Sequence, residues 1–230
     1  LPGSQEVIDR ISEQSGLHRQ WQSRLDVIRK SQGRRLFRLA TQTLKSGNAA
    51  RSYRLLNETL NEDPKHQEAR RILGYRTTGE RLTKSGDSGI SVSIARARHP
   101  KLGWQPGQYW RINSPQFRIV TNKSGQAGRE LANNLEELTL IWHNVFFSFW
   151  GNEATLKATW KSGPRTRRTN RRSIVLFANR EQYDQYLKRL EPNIGISVGY
   201  YQASRRIAYF YADDAPPMSY VHEATHQLFH

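Results

Sequence analysis

Cysteine is absent from the 230 residues, which excludes disulfide staples and thiolate metal ligands. Long apolar runs are missing as well. No stretch approaches the ~18 residues that a membrane-spanning helix requires. The most apolar segment, LIWHNVFFSFW from Leu140 to Trp150, is short and contains His143 and Asn144. Acids are scarce: 20 Asp and Glu stand against 36 Lys and Arg, a formal net charge of +16. The excess is spread, with nine net positive charges in residues 1–100 and seven in residues 101–230. A dedicated nucleic-acid reader concentrates its charge on one element, so nucleic acid is not the expected partner. The densest run, KSGPRTRRTNRR from Lys161 to Arg172, carries six positive charges and no acid. It reads as a solvated basic loop, with contact to an anionic surface or polymer as the alternative.

Against these absences stand six Trp, ten Tyr and eight Phe, enough bulk for a folded core despite a mean hydropathy of −0.79. Residues 1–76 read as helical. Leu36, Leu39 and Leu44, then Tyr53, Leu56 and Leu60, recur at helical spacing. Ser46-Gly47-Asn48 interrupts them where a turn fits, and Asp63-Pro64 opens a third helical stretch through Ala69 and Leu73. This hairpin resembles a tetratricopeptide-type unit, departing from it at Ser52 and Thr59, where small alanines usually pack. A single unit cannot form a solenoid by itself. The expectation is a helical hairpin packed on the next domain, with a protein partner as a further role.

Residues 77–107 are rich in Gly, Pro and Ser and read as a linker. Residues 108–230 then alternate strand and helix. FRIV from Phe117 is a strand, and Leu131, Leu135, Leu138 and Trp142 mark a long helix. Arg172 to Asn179 is a second strand, followed by the helix REQYDQYLKRL. A hairpin runs Val198 to Tyr201 and Ile207 to Tyr211. The order predicts an α+β fold with a mixed sheet.

The last ten residues, VHEATHQLFH, contain His-Glu-x-x-His. Asp213-Asp214 and Pro216-Pro217 suit the first turn of a helix. On that helix Met218, Val221, Thr225 and Leu228 share an apolar stripe, with Phe229 at its edge. His222 and His226 lie one turn apart, so both can place a ring nitrogen about 2.0–2.1 Å from one zinc ion. Glu223, projecting beside them, can touch a water at that ion and take its proton. His230 lies roughly 12 Å further along the axis than His222 and about 80° around it, so a straight helix cannot bring both to one metal. His99 and His143 are lone histidines that read as structural.

Together with FRIVTN, IVLFANREQY and the Gly-Tyr-Tyr hairpin, HEATH resembles the uncharacterised bacterial families related to gluzincin-type metallopeptidases, the peptidase MA-like group. The resemblance covers roughly residues 108–230. It implies a zincin-like domain with one zinc ion, His222 and His226 as metal ligands, Glu223 as general base and a peptide or protein substrate. It implies that the strand Ile207, Ala208, Tyr209, Phe210 and Tyr211 is an edge to which an extended substrate backbone adds. The bland alternative is an ordinary edge strand packed by aromatics. It implies a third ligand, usually Glu, downstream of the motif and therefore beyond His230. The expectation is a piece of a longer protein, inactive alone, whose last helix carbonyls lack a cap. Family context and a first residue other than Met favour export, periplasmic or extracellular. The competing function is a non-catalytic protein- or polyanion-binding module with a vestigial metal site.

Overall fold

The computed structural model describes residues 4–78, 81–84, 89–163, 171–192, 197–213 and 219–230. The chain begins with α1 (Ser4–Lys45), α2 (Ala49–Glu62) and α3 (Gln67–Leu73), then β1 (Tyr75–Thr78), β2 (Arg81–Lys84), β3 (Ser91–Ile94), β4 (Trp110–Asn113) and β5 (Phe117–Thr121). Three helices follow, α4 (Gly125–Val145), α5 (Phe147–Trp150) and α6 (Glu153–Ser162). The remainder is β6 (Arg172–Phe177), α7 (Arg180–Leu190), β7 (Tyr200–Gln202), β8 (Ile207–Tyr211) and α8 (Ser219–Phe229). This is an α+β fold with an N-terminal helical region and a six-stranded mixed sheet.

Two compact units divide these elements: Leu1–Lys84 with Phe147–Arg165, and Ser85–Phe146 with Thr166–His230. In the first, α1 turns into α2 through Gly47 at φ +84, a left-handed conformation that glycine adopts without a Cβ clash. Asn48 caps α2 by accepting from the Arg51 amide. Ala40, Leu44, Leu56 and Leu60 form the shared core with Ala69, Ile72 and Leu73 of α3. Leu39, expected in that stripe, is instead exposed. Ser52 and Thr59 are fully buried, yet both hydroxyls are satisfied: Ser52 donates to the Ala40 carbonyl and Thr59 to that of Leu55. The departures from small alanines are thus tolerated because each polar group finds an acceptor.

Residues 147–165 were expected in the second domain, within 108–230, and fall instead in the first unit. The physical reason is apolar: Phe147 and Leu156 are buried in the helical core, and the Phe147 ring lies 5.0 Å from that of Tyr53. The linker expected at 77–107 is also largely structured among the described residues. β1 pairs with β2, and β3 pairs antiparallel with β4. Among the described residues, Pro100, Pro106 and Gly107 lie in turns between β3 and β4, and the Gly107 amide donates to the Ala95 carbonyl. Residues 79–80 and 85–88 of that stretch lie outside the described residues.

In the second unit the strand order is β3-β4-β5-β6-β8-β7. β5, β6 and β8 are mutually parallel, while β3, β4 and β7 run antiparallel to their neighbours. The apolar run of β6 belongs to a strand covered on both faces. Ile174 and Leu176 join Ala208, Phe210, Ile119 and Leu135 in one core. Val175 and Phe177 join Tyr209, Tyr211, Tyr183 and Leu187 in the other. The period of two therefore sends alternate residues of β6 and β8 to α4 and α8 on one side and to α7 on the other. Gly128 lets α4 approach the sheet, since a Cβ there would lie 2.3 Å from Ile112 Cδ1.

The strand Ile207 to Tyr211, expected at the edge as the place where substrate adds, does not lie there. β8 is hydrogen-bonded to β6 along its length and to β7 at Ile207, Ala208 and Tyr209. The edge is β7, because the hairpin folds its first strand outward and inserts its second against β6.

Candidate metal centre

The helix α8 carries the His-Glu-x-x-His motif. Its buried face differs from the expected one. Ala224, Gln227 and Leu228 are buried and Tyr220 packs on the same core, whereas Val221 and Thr225 are only partly covered. Met218 lies outside the described residues, as do Asp214, Pro216 and Pro217. Two effects turn the helix this way. Ala224 is small enough to sit against the Ala208 and Phe210 side of the sheet. Gln227 also brings hydrogen bonds, its Nε2 donating to the carbonyls of Ser173 (3.1 Å) and Arg206 (2.9 Å). Buried polar groups are retained where they find such partners.

Arg172, the last member of the basic run, is likewise not a solvated charge. Its Nε donates to the Gln227 carbonyl at 3.3 Å, supplying one of the late helix carbonyls with the partner the sequence did not reveal. Burial pulls its guanidinium below the usual arginine value, and the Glu136 carboxylate opposes that shift. Residues 164–170 of the run lie outside the described residues.

With the helix so placed, His222 and His226 face outward together. Their rings stand 4.7 Å apart at 83°, and the two Nε2 atoms are 3.2 Å apart. With metal–nitrogen distances of about 2.0–2.1 Å, that separation subtends about 100° at a shared ion, near the tetrahedral angle. The same approach without an ion is a hydrogen bond from one imidazole to the other. The His222 side chain is 70% exposed and that of Glu223 16%, so the nitrogens are reachable from solvent while the carboxylate stem is held. Glu223 Oε1 lies 3.9 Å from His222 Nε2.

What holds Glu223 is a glycine. A Cβ at Gly199 would come within 2.9 Å of Glu223 Cγ and 3.3 Å of the Phe210 ring. Only a residue without a side chain lets the segment entering β7 lie this close. The Gly199 carbonyl accepts from Ser197 Oγ, which in turn is 3.1 Å from the Tyr183 hydroxyl. Burial pushes the Tyr183 phenol up to about 12, with the Ser197 bond opposing and the Glu223 and Asp184 charges adding. Tyr183 therefore stays protonated at neutral pH beside the site. Sequence reasoning missed Tyr183, Ser197 and Gly199. The one signal available was the glycine preceding two tyrosines.

The remaining candidates do not join the pair. Among the described residues no cluster of three His, Cys, Asp or Glu is placed to hold a metal ion. Glu136 accepts from Ser114 Oγ and the Gln116 amide, and Asp213 pairs with Lys123 at 2.6 Å. His230 packs edge-on against Tyr201, and His143 against Trp142. The donor set accordingly fits two positions of a zinc site.

His99 caps a loop. Its Nδ1 accepts from the amides of Lys101 (3.3 Å) and Leu102 (3.1 Å), and its ring packs against Trp104 and Tyr109. Burial lowers its pKa, with Arg111 and Lys101 adding in the same direction. The fold thus prefers neutral His99. Its contribution to stability is complete above the unfolded value of about 6.5 and is lost as pH falls below that value. A thermal-melting series from pH 8 to 5 should show an acid-side loss that shrinks in His99→Gln; an unchanged loss contradicts the assignment.

No family model, curated protein or solved structure matches this chain.

Proposed function

We propose that the chain carries the metal-binding helix of a zinc-dependent peptidase. The observation that carries this reading is the approach of His222 Nε2 and His226 Nε2 to 3.2 Å on the solvent side of α8. A zinc ion held there would supply Lewis acidity, lowering the pKa of a water and polarising a carbonyl. The chain's own residues do the rest. His222 and His226 donate two ligands, and the further protein ligand comes from outside the described residues. Glu223 takes a proton from the attacking water and delivers it to the departing amide nitrogen. Gly199 and Phe210 fix the Glu223 stem so that the carboxylate stays beside the imidazoles.

The strand-addition role moves from Ile207–Tyr211 to β7, Tyr200–Gln202, whose outer side has no neighbouring strand among the described residues. An extended peptide that pairs there gains main-chain hydrogen bonds. The test is peptide hydrolysis by the full-length protein loaded with zinc. Chelation should abolish cleavage and added zinc should restore it; cleavage indifferent to chelator overturns the reading.

One observation favours the second reading, a non-catalytic module with a vestigial site: the described residues assemble no third ligand. It predicts partner binding that is insensitive to zinc.

A further inference from the structure

The first unit contains a cavity of about 440 Å³, open to solvent and lined by Ser31, Arg34, Phe37, Arg38 and His66. We propose that it binds a small phosphomonoester carrying an apolar ring. The proposal is independent of the zinc site and concerns a different unit.

Arg34 and Arg38 are one turn apart on α1 and therefore neighbours on its surface. Both are exposed, and among the described residues neither has a carboxylate within ion-pair distance. α1 holds no acid at all across residues 27–45. Three acids of the same unit have partners of their own. Glu62 pairs with Arg29 at 3.3 Å, Glu68 pairs with Arg71 at 2.8 Å, and Asp63 accepts from the Lys65 amide at 3.1 Å. Two unneutralised guanidiniums in one cavity match a phosphomonoester, which carries about −1.5 to −2 at neutral pH, better than a singly charged carboxylate.

His66 caps α3, its Nδ1 accepting from the Ala69 amide at 3.3 Å. An accepting Nδ1 places the proton of the neutral ring on Nε2. His66 thus contributes a donor, and so do Ser31 and both arginines; no wall residue is an acid. The floor of the cavity is apolar at Phe37. The Phe37 ring is held 4.6 Å from that of His66 and 5.8 Å from that of Trp160, and the part of it that lines the cavity offers apolar contact to a ligand ring. The depression is open on one side, and its 440 Å³ leaves room for a small monoester.

The test is isothermal titration of the full chain with phenyl phosphate, beside inorganic phosphate and benzoate. The expected result is binding of phenyl phosphate that exceeds both comparators. Arg34→Gln and Arg38→Gln should each weaken it roughly tenfold or more, as for loss of a charge-assisted bond. His66→Asn keeps a good helix cap while removing the Nε2 donor, so it should weaken binding with the melting temperature unchanged. No binding at ~10 mM phenyl phosphate, equal binding by the arginine variants, or equal affinity for benzoate overturns the proposal.

Discussion

Glu223→Gln should lower hydrolysis by the full-length protein roughly 10²–10⁴-fold, the usual range for a lost general base, and leave its zinc content intact. The amide matches the carboxylate in shape and can occupy the same space beside Gly199, so the packing around Phe210 and Glu223 is retained. It cannot accept a proton from water. The two imidazoles converge through the helix and not through Glu223, whose nearest oxygen is 3.9 Å from His222 Nε2. The variant therefore separates proton transfer from metal binding. Initial rates on a peptide substrate, with zinc measured on the same sample, read both. Activity within a few-fold of the parent removes Glu223 from the mechanism.

Phe117→Ala should destabilise the second unit by about 3–5 kcal/mol, the range for a buried Phe in a packed core. Phe117 is fully buried on β5, in a core with Ile119, Leu135 and Ile112. Its amide donates to Ser114 Oγ, whose hydroxyl also bonds Glu136, so the backbone is pinned and cannot easily collapse into the space left behind. Against a total stability of about 5–15 kcal/mol such a loss is severe. Urea unfolding should show a lower midpoint with an unchanged slope. A loss below about 1 kcal/mol would mean that α4 does not depend on this strand as described.

The meeting of the two imidazoles was legible because it rests on one helix. The i, i+4 spacing of His222 and His226 alone determines that their rings can meet, and the structure places their nitrogens 3.2 Å apart. β6 and α7 were equally readable, since their apolar period is long and their ends carry clear signals, as at Asn179, which caps α7. Strand neighbours were not readable. The β7–β8 hairpin itself was readable, but nothing in Ile207–Tyr211 says that this strand and not its partner pairs with β6, because that is decided by the whole sheet. The buried face of α8 was misjudged for a related reason. Hydropathy selects Val221 and Thr225, whereas the sheet selects small Ala224 and the hydrogen bonds of Gln227. β3 and α6 escaped notice because four exposed-to-intermediate residues and a mixed decapeptide carry little periodicity.

The central claim is that two imidazoles on α8 share one cation, and competitive zinc titration of the full-length protein tests it most directly. The parent should bind one zinc per chain. His222→Ala and His226→Ala should each lose it almost completely, and the double variant should be no worse than either single one. A single variant that retains the parent affinity would show that the rings 3.2 Å apart are a hydrogen-bonded pair and not a metal site.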